Sequence, residues 1–242
     1  MADGIYVALS GAIAQATNLD TTATNLANAE TDGYQRVRPI FREALARAGT
    51  GEPAMHYASL ASTALDTTAG ALRQTGRPLD FALPPGTYLA VSTARGERYT
   101  RACSLSVGAA GALVTSHGDA VLADNGDPIK VTGDPSAVRL DESGQLWMGD
   151  TAGPRLKVVT FAQPSALAHE DGPVLAAQAA AGQPVASRGP LTLEHLEGSN
   201  SSAVGAMTDL VTASRQFDAF QRVIDAFRDA DRNVVTTVPG TT

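Results

Sequence analysis

The stretch ATNLANAETDGYQR, residues 23 to 36, closes an apolar helical stripe on two asparagines and an Asp-Gly-Tyr turn. Asparagine is a poor helix-interior residue, because its amide competes for nearby backbone hydrogen bonds. Asn25 and Asn28, one turn apart, therefore point to partners other than the helix itself, and Gly33 marks where the helix must stop. Upstream, Ile5, Leu9, Ala12, Ala16, Leu19, Ala23 and Leu26 alternate spacings of four and three, a heptad-type seam. The spacing predicts one helix over residues 4–28, a rod of roughly 37 Å. Its stripe is narrow and alanine-rich, so it needs a partner helix to be stable in water.

The other end of the chain mirrors this pattern. EGSNSS, residues 197–202, offers Ser199, Asn200 and Ser201 as capping groups. After it, Val204, Met207, Val211, Phe217, Phe220, Ile224, Phe227 and Val234 recur at helical spacing, with Asp218, Arg222, Asp225 and Arg228 on the opposite face. One long amphipathic helix is predicted over 202–236.

Between the helices, from about Leu79 to Phe161, the chain turns rich in Gly, Pro, Asp and Thr. Short strand-like runs (TYLAVS, ALVTS, PIKVT, AVRLD, GQLWMG, LKVVTFA) are separated by turn signals such as Asn125-Gly126 and Ser143-Gly144. The fold class that follows is α+β: long N- and C-terminal helices pairing as a coiled coil, with a central all-β domain of short antiparallel strands. The expected division is a terminal helical assembly domain over 1–40 and 196–242, a transition segment over 41–75 that begins helical in FREALARAG, and a β domain over 76–195. The Ala/Gly/Pro/Gln-rich return at 162–190 reads as extended or loosely ordered.

The chain has 242 residues, 43% of them apolar, which is enough for a packed core. With 18 basic against 25 acidic residues its net charge is −7, which argues against nucleic acid as a partner. No run approaches the ~20 apolar residues of a bilayer span, so membrane insertion is not expected. The opening Met-Ala-Asp-Gly-Ile-Tyr has neither the basic nor the apolar region of a cleavable secretory signal.

No catalytic constellation emerges, and the expectation is of a protein that is not an enzyme, with no cofactor and no metal. His56, His117, His169 and His195 lack metal-type spacing and read as surface or structural residues. Asp119, Asp124 and Asp127 around Asn125-Gly126 lack EF-hand spacing and read as a hairpin turn. Glu194 and Glu197 beside His195 read as a solvated lead-in to the last helix. Arg36, Arg38, Arg42 and Arg47 read as a solvated face, and Cys103 as a small buried hydrophobe.

Three stretches in order carry a resemblance to a known family. SGAIAQATNLDTTATNLANAETDGYQR resembles the N-terminal motif of bacterial flagellar rod and hook proteins, with Asn25, Leu26, Ala27, Asn28, Thr31, Gly33 and Tyr34 in the motif positions. The run TGRPLDFAL, GTYLAV, GERYTRACSLSV and GALVTSHGDAVLADNGDPI is similar to the family's β domain. LEGSNSSAVGAMTDLVTASRQFDAFQRVIDAFRDA is similar to its C-terminal motif, with Leu196, Glu197, Gly198, Ser199, Asn200, Met207, Leu210, Arg215, Phe217 and Ile224 in register. The short length and the opening GIYVALSGA are most like the proximal rod subunit, with a distal rod or hook-like subunit as the alternative.

The resemblance implies a self-assembling structural subunit of the basal-body rod, the hollow driveshaft that carries torque from motor to hook. It implies other copies of the chain and other rod proteins as partners, export through the flagellar type III apparatus without a cleaved signal, and a place in the periplasmic rod. The assembly interface is expected at Ile5, Leu9, Leu19, Asn25, Leu26, Asn28, Gly33, Tyr34, Met207, Leu210, Phe217, Ile224 and Phe227, with the Asn25 and Asn28 amides bonding across a packed helical wall. A reading of another class, a secreted β-domain binding module or adhesin, would need an exposed pocket or aromatic patch built from six Phe, five Tyr and one Trp.

Overall fold

The computed structural model describes residues 2–46 and 55–237. Two long helices stand at the ends of the order of elements: α1, Ala2–Ala27, and α2, Ala203–Thr237. Short strands fill the interval. The chain divides into two compact units. One gathers residues 1–26, 37–63 and 203–242; the other gathers 27–36 and 64–202.

In the helical unit the sequence pattern is met with a shift of register. On α1 the buried stripe passes through Ala8, Ala12, Thr21, Thr22 and Asn25, while Leu9 is 44% and Ile13 59% exposed. Ala16 and Ala23, placed in the seam by spacing alone, are exposed too. On α2 Ala206 and Ala213 are buried, Leu210, Phe217, Phe220, Ile224 and Phe227 half-buried, and Val204, Met207 and Val211 exposed. Small residues win the inner positions because they let the backbones approach closely. Gly11 lies under the Phe220 ring, where an added Cβ would stand 2.4 Å from a ring carbon. The Gln15 amide reaches the Ala213 carbonyl at 3.2 Å. The order of these contacts, 11 with 220 and 15 with 213, runs the helices antiparallel.

The transition segment is not helical where it is described. Val37–Ala46 and Met55–Leu65 are strands, paired as a two-stranded sheet. Val37, Ile40 and Phe41 favour extended backbone, and a partner strand outweighs the weak local helix preference of the alanines that follow. Arg47, Ala48 and Gly49 of FREALARAG lie outside the described residues.

The β unit is built on Thr87–Thr93, whose Tyr88, Leu89, Ala90 and Val91 are all 0% exposed. Such a strand is covered on both faces. Leu89 and Val91 enter the main core with Phe81, Leu113, Val121, Ile129, Leu146 and Leu156. Tyr88, on the opposite face, meets Phe161 edge to face at 6.0 Å. Among the described residues the largest sheet has the antiparallel order Leu167–Asp171, Val174–Ala177, Gly96–Thr100, Thr87–Thr93, Ala120–Val121, Leu113–Thr115, Leu105–Val107, with Val158–Thr160 also paired to Thr87–Thr93 and Val185–Ala186 paired to Val158–Thr160. Val138–Leu140, Gln145–Met148 and Thr151–Arg155 form a separate meander.

Two sequence expectations change here. Within 162–190, read from sequence as extended or loosely ordered, Leu167–Asp171 and Val174–Ala177 make a hairpin closed by Gly172-Pro173, with Gly172 at φ 50° and Leu167, Val174 and Leu175 buried. A glycine at the first position of a two-residue loop is itself a hairpin signal. PIKVT forms only isolated bridges, Leu122 with Pro128 and Ala112 with Lys130. Cys103 is 1% exposed, and burial pushes its thiol pKa up.

Candidate functional site

Residues 33–36 have no regular secondary structure, and Gly33, Tyr34 and Gln35 are buried. A segment of that kind must find its backbone partners in side chains and loops, since buried N–H and C=O groups are rarely left unpaired. Each residue does so. The Gly33 N–H donates to the Glu197 carbonyl at 2.6 Å, and the Asn200 N–H donates to the Tyr34 carbonyl at 3.2 Å. The Gln35 carbonyl faces His169 Nε2 at 2.7 Å, while the Gln35 side chain accepts from the Tyr88 hydroxyl at 3.2 Å. The Arg36 N–H donates to Asn200 Oδ1 at 2.6 Å, and the Arg36 carbonyl accepts from the Asp66 N–H at 2.9 Å.

The side chains that make this slot come from distant parts of the chain. The Tyr34 ring, 1% exposed, stacks on His169 at 4.5 Å, and burial raises its hydroxyl pKa to about 12. The two ring nitrogens of His169 meet two carbonyl oxygens, of Gly172 at 2.8 Å and Gln35 at 2.7 Å. Burial lowers the His169 pKa below 6.5, against the pull of both carbonyls. Asn200 spends its amide on the Asp66 and Thr68 carbonyls, at 2.8 and 2.9 Å. Burial pushes the Asp66 carboxyl up, but hydrogen bonds from Arg36 and Thr68 outweigh it and leave the pKa below the ordinary value.

Beneath the slot lies a buried ion pair, Arg101 and Glu197, at 2% and 3% side-chain exposure. A guanidinium has five N–H donors. Here Nε and Nη2 bond Glu197 Oε2, Nη1 bonds the Pro84 and Thr87 carbonyls, and Nη2 also bonds the Leu83 carbonyl. Glu197 Oε1 accepts the Gly70 N–H at 2.9 Å.

From sequence, Glu197 reads as solvated and Asn200 as a helix cap; both are corrected. The strand pair His195–Glu197 with Leu72–Gln74 draws residue 197 inward, and α2 starts only at Ala203. The buried Arg101 could have flagged Glu197, since a buried arginine requires a counter-ion, but nothing local in LEHLEG shows burial.

The predicted interface residues fall into three groups. Gly33 and Tyr34 lie inside the β unit, and Gly33 sits so close to the chain at Arg101 and Ala102 that an added Cβ would be 2.3 Å from the Ala102 nitrogen. Asn25 finds backbone partners in the strand that follows the turn. Its amide donates to the Val37 carbonyl at 2.8 Å and its oxygen accepts the Val37 N–H at 2.9 Å, a match of donor and acceptor that caps the first residue of the strand. Asn28 accepts from the Thr31 hydroxyl at 3.3 Å, within the turn. The others lie along the helices. Ile5, Leu19, Leu26, Leu210, Phe217, Ile224 and Phe227 are half-buried, and Leu9 and Met207 are exposed. Leu9, Ile13, Phe217 and Ile224 border an open groove of about 470 Å³ along the α1–α2 pair. No described helix is long and apolar enough to cross a membrane, and the described residues hold no metal-type cluster of three or more His, Cys, Asp or Glu.

Comparison with known proteins bears on the same segments. A family model described as "Flagella basal body rod protein" matches residues 5–35, and one described as "Flagellar basal body rod FlgEFG protein C-terminal" matches 194–236. The chain is 34% identical over 245 residues to the flagellar basal-body rod protein FlgF of Escherichia coli K12, with 95% of each chain covered. It is 30% identical over 220 residues to FlgF of Mesorhizobium japonicum, covering 90% of each, and 28% identical over 250 residues to FlgG of Bacillus subtilis, covering 93% and 94%. The first family match takes in Gly33, Tyr34 and Gln35 of the slot, and the second takes in Glu197 and Asn200.

Proposed function

The chain belongs to the flagellar basal-body rod protein family, as a structural subunit of the FlgF-like kind, and from that membership we propose how it assembles. The helical unit is the assembly element. Its two antiparallel helices form a coiled coil that packs with other copies and other rod proteins around the hollow axis. The finished rod carries torque from motor to hook. Subunits reach it through the flagellar type III export apparatus.

The observation that carries this reading is the pair of apolar faces left on the helices. Tyr6, Leu9 and Ile13 on α1 are 67%, 44% and 59% exposed, and Val204, Met207 and Val211 on α2 are 76%, 55% and 52%. Apolar patches of this extent on one chain mark an interaction surface. A helix pair with mostly alanine and threonine at its buried positions also has little area of its own to offset the ordering of about 1–2 kcal/mol per residue, so the neighbours in a polymer supply the remainder. Mass spectrometry of basal bodies purified from a strain expressing an epitope-tagged chain, with immunogold labelling, tests the reading. The tag is expected in the rod below the hook; a tag found only in the soluble or membrane fraction contradicts it.

A further inference from the structure

We propose that Glu197 is a positioning residue: through Arg101 it locks the C-terminal motif onto the Gly33 turn of the N-terminal motif, so that the β unit closes only when both ends of the chain are in place. This goes beyond the subunit's assembly through its helices, because every group involved lies within the β unit. Three segments far apart in sequence converge on one carboxylate-bearing residue. Its carbonyl takes the Gly33 N–H, its Oε1 takes the Gly70 N–H, and its Oε2 takes two donors of Arg101. Arg101 in turn ties the carbonyls of Leu83, Pro84 and Thr87, and its guanidinium lies 5.8 Å from the centre of the Tyr88 ring, whose hydroxyl holds Gln35. The contact leaves no slack on the other side, since Gly33 has no room for a Cβ against Arg101 and Ala102, and Gly70 none against the Gly198 carbonyl.

The chemistry requires the charge. Removing one partner of a buried pair leaves the other uncompensated, whereas the intact pair adds little to net stability over an apolar replacement. The pair is therefore kept for what it positions. A glutamine at 197 offers one carbonyl oxygen where three donors converge, and turns its own N–H₂ toward a donor. The Gly33 turn then loses the fixed strand end to which its N–H is bonded.

Amide hydrogen exchange on the full-length chain tests the lock, with Glu197→Gln compared with Leu146→Ala, a variant of the apolar core of the same unit. In Glu197→Gln the Gly33 and Gly70 amides are expected to exchange at least tenfold faster relative to the core strand Thr87–Thr93, and Cys103, the single cysteine, to react faster with a thiol reagent. In Leu146→Ala the ratio of Gly33 exchange to core exchange stays at its native value. If Glu197→Gln fails to fold, Glu197→Asp, which keeps the charge and shortens the reach, is read the same way. Native Gly33 protection in the Glu197 variant, or the same ratio in both variants, overturns the proposal.

Discussion

A methyl group at Gly33 meets two obstacles at once. The residue sits at φ 70°, where a β-carbon costs about 1–2 kcal/mol, and the space that a Cβ would need is taken by the backbone of Arg101 and Ala102. Overpacking of that kind adds about 1–3 kcal/mol. Gly86 shares the backbone angle, φ 73°, but has nothing within 4 Å. Denaturant unfolding of the β unit should therefore show Gly33→Ala destabilised by about 3 kcal/mol and Gly86→Ala by about 1; equal losses would mean that the turn is not packed as described. A second residue-scale expectation concerns pH. Hydrogen bonds from Arg98 and then Arg95 pull the Glu170 carboxyl from 4.5 to about 2. A depressed carboxylate stabilises the fold above its unfolded pKa and loses that contribution as pH falls toward the folded value, so stability should drop between about pH 4.5 and 2. Glu170→Gln should flatten the slope there. The lowered His169 pKa acts in the same direction at higher pH, because below 6.5 the unfolded chain takes up a proton that the folded residue refuses. His169→Gln should remove the early part of the acid loss in a pH series of melting curves, and an unchanged slope would contradict the assignment.

At the scale of the element, α1 and α2 were readable because a period of three to four residues survives whatever packs against it. Their inner faces were less readable. Spacing chose Ala12, which is buried, but also Leu9, Ala16 and Ala23, which are exposed; the antiparallel partner reaches Gly11 and Gln15, where close approach favours small side chains over large ones. The strand Val37–Ala46 was missed because its partner, Met55–Leu65, lies beyond any local window. Asn25 did announce itself as a misfit in a helix, yet which group it serves depends on where residue 37 passes. Glu197 and Asn200 are ordinary polar residues in sequence, and burial alone makes them structural. The groove-lining Ile224 belongs to this scale too. It is half-buried, so its remaining surface is available to a neighbour. Losing about 2 kcal/mol per contact lowers each association constant about thirtyfold. Ile224→Asp should abolish incorporation into rods while the β unit melts at its native temperature; normal incorporation would remove α2 from the assembly surface.

Across the whole molecule, the sequence suggests a β domain over 76–195, whereas the structure gives that unit three further pieces, 27–36, 64–75 and 196–202. Limited proteolysis of the isolated chain tests the difference. Both helices should be trimmed, with residues 27–36 remaining bound to a 64–202 body even after cleavage between them. A stable product confined to 75–195 would show the slot to be dispensable. The proposed assembly joins the family assignment, the exposed helical faces and the closed β unit in one subunit, whose helices it assigns to contacts with neighbours. Electron microscopy of hook–basal bodies from a strain lacking this chain tests that most directly. Rods that end short, with no hook and no motility, restored by the native chain but not by Ile224→Asp, are the expected result; complete rods and normal swimming in the deletion strain would contradict it.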